Sequence, residues 1–175
     1  MNFHRKLSTG VLNKVSDNNG TLLNSSYTKT QLYLLVLLRV VIGYHFLFEG
    51  VNKLFATSWS SELFLAQSNW IFSGFFKFIA SSQTLLGIVD FLNVWGQILI
   101  GLSLLIGLYS RYAAYVGVLL LLLYYIAYPP FVDGYTFVDR NLLELFGLLL
   151  TALFQTSQII GLDGLLSKMR RAKNG

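Results

Sequence analysis

Apolar residues gather along this chain into four long runs, at about Leu32–Phe48, Val94–Tyr109, Tyr112–Tyr128 and Leu142–Ile160. Each is near the roughly 17–25 residues that a helix needs to cross hydrocarbon. None alternates polar and apolar positions as a barrel strand does. Only helices and closed barrels satisfy every backbone N–H and C=O in lipid, so the pattern predicts an all-α integral membrane four-helix bundle. The second connection, Gly107–Arg111, is so short that it forces its flanking helices into an antiparallel pair. Pro129 and Pro130 end the third helix, ahead of a turn at Asp133–Gly134. The first connection, Glu49 to Asn93, is far longer than the usual link between packed neighbours. It carries Trp59, Phe64, Trp70 and the aromatic run Ile71–Ile79, and predicts a long outer loop with a short interfacial helix. Because the chain turns apolar again from Thr84, an early start to the second helix places Asp90 just inside the outer boundary.

The polar segments divide the chain further. Residues 1–30 are rich in Asn, Ser, Thr and Lys without the apolar core of a signal peptide, and read as a polar cytoplasmic tail. Residues 31–162 form the transmembrane domain and residues 163–175 a basic cytoplasmic tail. Arg5, Lys6, Lys14, Lys29, Arg111, Lys168, Arg170, Arg171 and Lys173 fall on one side of the spans, against Lys53, Lys77 and Arg140 on the other. Positive residues near spans stay in the cytoplasm, so both termini are expected there. Glu49, Glu62, Asp90, Asp133 and Asp139 fall on the outer side or its boundary.

Composition agrees with a bilayer as the principal partner. The chain is 54% hydrophobic and 12% charged, about half the charge of an ordinary soluble domain. Its net charge of +5 comes from basic tails suited to anionic lipid. No basic stretch is interleaved with aromatics on a soluble domain, so nucleic acid is not an expected partner.

Ionisable residues inside the runs carry the candidate chemistry. Arg39 stands at the middle of the first run, where an unpaired guanidinium costs several kcal/mol or more. Arg39, Gly43, Phe46, Gly50 and Lys53 share one helical stripe, flanked by His45 and Glu49, and the glycines turn that stripe toward another helix. Glu49 lies four residues before Lys53 and is placed to pair with it. An antiparallel fourth helix brings Glu144 level with His45 and Glu49; Gln97 reaches a similar depth, with Asp90 and Arg140 above. The expectation is one outward-opening cluster of Arg39, His45, Glu49, Lys53, Asp90, Gln97, Arg140 and Glu144, able to bind an anion or hydrogen-bond a quinone carbonyl. Plainer roles stand beside it: Arg39 as a buried strut, His45 as a packing residue, Glu49 and Lys53 as a helix-end ion pair, and Glu144 as a partner for either arginine.

The residues that are missing narrow the chemistry. A chain without cysteine cannot run a thiol relay by itself. Of two histidines, His4 lies in the tail, so a bis-histidine haem within the bundle is excluded, and no metal-ligand spacing occurs. Neither haem nor metal is expected in this chain, and a redox cofactor is a diffusible quinone or belongs to another subunit.

Several segments together resemble the DoxX/DoxD-like family of small four-helix membrane proteins. They are Arg39 with Gly43, then Phe48-Glu49-Gly50-Val51-Asn52-Lys53, the stretch Gly101 to Arg111, and Asn141-Leu142, Glu144 and Gly161-Leu162-Asp163. The likeness covers roughly residues 30–165. It implies a multi-pass protein of the bacterial cytoplasmic membrane, in a family that includes the small subunit of a thiosulfate:quinone oxidoreductase. On that likeness Arg39, Lys53 and Arg140 would hold a sulfur oxyanion, and His45 or Glu144 would serve quinone or proton transfer. Many relatives carry an acid near the start of the second helix, where this chain has Gln97 or the earlier Asp90. The leading expectation is a membrane subunit of a quinone-linked oxidoreductase working with other membrane or periplasmic subunits. Its rivals are a non-catalytic subunit that stabilises or docks a larger complex and, more weakly, a small-solute or proton transporter.

Overall fold

A computed structural model of the chain describes residues 28–129, 131, 136–154 and 156–174. The tail before Thr28, Pro130 and the expected Asp133–Gly134 turn lie outside the described residues. The described chain is helical: α1 Lys29–Phe55, α2 Glu62–Ala66, α3 Ser73–Ser81, α4 Gln83–Ile106, α5 Ser110–Ala127, α6 Arg140–Phe154, a 3-10 turn at Thr156–Gln158, and α7 Leu162–Asn174.

The first helix is longer at both ends than its apolar run. At its start Thr28 and Gln31 form a capping box, each side chain accepting from the other's backbone N–H. At its end it continues past Glu49 to Phe55, because both Glu49 and Lys53 find a polar interior to face. Helices α1, α4 and α5 are long and apolar enough to cross a membrane. Between α4 and α5, Gly107 takes a left-handed backbone with φ +67° and Tyr109 another with φ 51°. Asp163 at the start of α7 secures this turn: its N–H donates to the Gly107 carbonyl, and its carboxylate accepts from the Tyr109 N–H, both at 2.9 Å.

The fourth apolar run is shorter as a helix than expected. Asp139 caps α6 by accepting from the Leu142 N–H at 2.8 Å, but the helix ends at Phe154, only 15 residues on. The continuous helix to Ile160 does not form, because the bend through Thr156–Gln158 turns the Thr156 hydroxyl and the Ile160 carbonyl onto Arg39. The long first connection holds two short helices, α2 and α3, rather than one. α3 packs on α4, burying Phe76 and exposing Phe75 and Phe78.

Helix α1 packs against α4 and α6, and α5 against α4 and α6, which closes a ring of four helices. Its core contains Ile42, Phe46, Ile100, Leu104, Leu121, Leu145 and Leu148. The α1–α4 contact is tightest at Gly101, where an added Cβ would lie 2.5 Å from the Leu47 backbone nitrogen and 2.8 Å from the Gly43 carbonyl oxygen. Polarity is inverted relative to a soluble protein. Arg39 is 2% exposed, and Asn93, Gln97, Thr151 and Thr156 are buried, while Leu99 is 61% exposed among a belt of outward Leu, Val, Phe and Tyr. Water does not tolerate a contiguous apolar exterior of this extent, whereas lipid does.

Candidate functional site

At one end of the ring, helices α1, α4, α5 and α6 splay around a cavity of about 290 Å³ that the Trp59–Phe64 segment covers. Helical spacing sets its chemistry. On α1, His45, Glu49 and Lys53 succeed one another at single-turn intervals down the inner face, and on α6 Arg140 and Glu144 do the same. Gln97 and Asn93 enter from α4 and Tyr124 from α5.

His45 stands between two carboxylates. Its Nε2 lies 3.6 Å from Glu49 Oε1 and its Nδ1 2.9 Å from Glu144 Oε1, the second approach lacking the alignment of a straight hydrogen bond. Lys53 does not form the expected ion pair with Glu49. It donates to Asn93 Oδ1 at 2.9 Å and sits 4.8 Å above the Trp59 ring, and Asn93 in turn donates to the Tyr124 hydroxyl. A desolvated ammonium gains from such a π-face as well as from the amide oxygen. Gln97 is 6% exposed, and its Oε1 is buried without a hydrogen-bond partner among the described residues. A buried acceptor left bare costs free energy, so this atom has capacity for one more donor.

Six of the eight residues expected to cluster line this cavity: His45, Glu49, Lys53, Gln97, Arg140 and Glu144. Asp90 does not. Its carboxylate accepts from the Ser60 hydroxyl and the Ser61 N–H, both at 2.8 Å, and from the Ser61 hydroxyl, so it clips the covering segment onto α4. Replacing Asp90 with alanine is expected to raise amide exchange at Ser61 about tenfold or more, because hydrogen bonds to a charged acceptor contribute roughly 1.5–3 kcal/mol. Exchange mass spectrometry of residues 56–64 reads the change, and unaltered protection there would mean that the clip holds nothing.

Arg39 is the larger correction. Sharing a stripe with Lys53 still leaves about 21 Å of helix between them, at 1.5 Å per residue. At the far end of the ring Arg39 Nη2 donates to the Ile160 carbonyl at 2.7 Å and Nη1 to Thr156 Oγ1 at 3.3 Å. Its guanidinium therefore braces the α6–α7 bend and does not reach the cavity. Asn93, Trp59, Phe64, Tyr124 and Asn141 also line the cavity but were not among the expected site residues. Asn93 was recoverable, since it lies between Asp90 and Gln97 at helical spacing. Tyr124 gave no signal, because its partner Asn93 is distant in sequence, and Asn141 stood out only as part of a segment that carries the family resemblance. Among the described residues no group of His, Asp and Glu is arranged to hold a metal ion.

An apolar exterior, a polar interior and several bilayer-length helices around an ionisable cavity define a helical multi-pass membrane protein. The chain belongs to the DoxX family, whose sequence profile matches residues 34–129. That match spans α1 to the end of α5, so Arg140 and Glu144 on α6 lie beyond it. No curated protein and no solved structure matches the chain.

Proposed function

We propose that this DoxX-family protein is the membrane subunit of a quinone-linked oxidoreductase in a bacterial cytoplasmic membrane, and that the cavity around His45 receives the quinone head. In this reading α6 completes a four-helix bundle in the bilayer, both termini face the cytoplasm, and the cavity opens outward, toward a donor or a partner subunit. The observation that carries the proposal is one imidazole flanked by Glu49 and Glu144 in a cavity whose remaining wall mixes aromatic rings, amides and the cations Lys53 and Arg140. Converting a quinone to a quinol takes two electrons and two protons. In this reading His45 and Glu144 deliver the protons, Lys53 and Arg140 donate to a carbonyl oxygen, and Gln97 Oε1 accepts from a quinol hydroxyl; that all five line one cavity supports it. With Arg39 removed from the site, Lys53 and Arg140 are the cations in the cavity lining that remain to contact a sulfur oxyanion donor.

The test is reduction of a decyl-tailed quinone in nanodiscs by the protein and any partner that co-purifies, with thiosulfate as the first donor. Glu144→Gln and His45→Ala variants are expected to lose on the order of 100-fold in rate, the usual contribution of a positioned acid or base. Absence of quinone binding and turnover, together with a stoichiometric partner, would establish the non-catalytic subunit instead. Solute flux in proteoliposomes without quinone dependence would establish transport.

A further inference from the structure

A second cavity, of about 370 Å³, lies beside the first, between α3, α4 and α5. Its inner wall is Leu65, Phe76, Val89, Leu120 and Ala127, and Leu92 and Leu123 form an outer lip that is 61% and 44% exposed on the bilayer-facing surface. The two cavities share Ser61, Phe64, Asn93 and Tyr124. Phe64 and Tyr124 meet edge to face at 5.9 Å and form the partition, with the polar ends of Asn93 and Tyr124 engaged on the Lys53 side. A polar chamber thus abuts an apolar one across two aromatic rings.

We propose that the ligand of the polar cavity is an amphiphile of the prenylquinone class, and that its tail passes the Phe64–Tyr124 partition and leaves to the bilayer between α4 and α5 over Leu92 and Leu123. Three observations converge on that occupant. The polar cavity is at the small end of the ligand pockets that proteins build, roughly 300–1,000 Å³, so it holds a head group and little more. The adjoining chamber is lined almost wholly by hydrocarbon and opens where tails reside. Lys53 and Arg140 offset Glu49 and Glu144 around the head site, so its lining carries no net formal charge to select a phosphodiester, while an uncharged ring with two oxygens finds both donors and acceptors there. The proposal rests on the quinone reading of the polar cavity for its head group, and adds the route and resting place of the tail.

Photolabelling of the full chain in nanodiscs tests it, using a benzoquinone with a diazirine in a decyl tail and, in parallel, a phosphatidylcholine with a diazirine in one acyl chain. The quinone probe is expected to label residues within 89–92 and 120–127, and excess decyl-tailed quinone to reduce that labelling about fivefold or more, equivalent to roughly 1 kcal/mol. Leu123→Trp, which narrows the lip, is expected to reduce labelling at Val89 and Leu120 by a similar factor. Leu99→Trp, on the open face of α4, is expected to leave it unchanged. Labelling spread over the apolar belt without competition would overturn the proposal. So would a phosphatidylcholine probe that labels these residues and is displaced by lipid alone. Competable labelling in a protein that reduces no quinone would uphold the tail route while refuting the oxidoreductase reading.

Discussion

Replacing Arg39 with alanine is expected to lower the stability of the folded chain by roughly 2–5 kcal/mol, the range for deleting a large buried side chain. Arg39→Met is expected to cost much less. Arg39 is among the largest fully buried side chains, yet among the described residues its charge meets a hydroxyl and a carbonyl in direct hydrogen bonds, its Nε has no partner, and the carboxylate of Asp163 acts on it without a direct bond. A buried charge so sparsely satisfied contributes through the volume it fills and the bend it braces, and an apolar residue of similar length recovers the volume without the desolvation. Thermal unfolding in nanodiscs separates the two substitutions. Because the guanidinium lies so far from Lys53, Arg39→Met is also expected to retain the quinone-probe labelling that Glu144→Gln impairs. Lost ligand binding with an unchanged melting temperature would return Arg39 to the binding site.

Gly101→Val is expected to prevent α1 and α4 from packing, and Gly101→Ala to cost about 1–3 kcal/mol or more, the usual penalty for overfilling a packed core. What surrounds Gly101 decides this: the atoms that a Cβ would strike are the Leu47 nitrogen, the Leu47 Cα and the Gly43 oxygen, all backbone. Side chains can change rotamer, but two helix backbones can only move apart. Gly96 lies on the same helix, and a Cβ there meets nothing within 4 Å. Gly96→Ala is therefore expected to be neutral or to stabilise α4 by up to about 1 kcal/mol. Size-exclusion profiles and melting curves of the three variants check the contrast. Equal behaviour of the two alanine variants would mean that the α1–α4 seam is looser than its spacing implies.

Apolar runs made the helical membrane class legible, since hydrocarbon length and backbone satisfaction leave few alternatives. The ends of the helices were harder. A hydropathy pattern stops at Glu49 because the residue is charged, but the helix continues because that charge faces a cavity built by three other helices. Likewise Leu142–Ile160 looks uniform, and its break after Phe154 depends on Arg39, more than a hundred positions earlier. The cluster around His45 was legible from depth arithmetic on antiparallel helices, which placed Glu144 level with His45 correctly. The same arithmetic failed for Arg39, where a shared stripe was read as a shared site although helical rise separates its ends. Asp90 was expected in the cluster, but its bonds to Ser60 and Ser61 depend on a loop path that no periodicity encodes.

The core between the two ends of the ring bears on energy transduction. Leu104 and Leu148 are fully buried, and with Ile42, Ile100 and Leu145 they interpose a hydrocarbon plug between the His45 chamber and the Arg39 bend. On the proposed oxidoreductase reading, protons exchanged at His45 arrive from, and return to, the one compartment that the chamber faces. Chemistry in that chamber would draw on the acidity of a single side of the membrane, and the protein would influence the transmembrane voltage by where its electrons go rather than by carrying protons across.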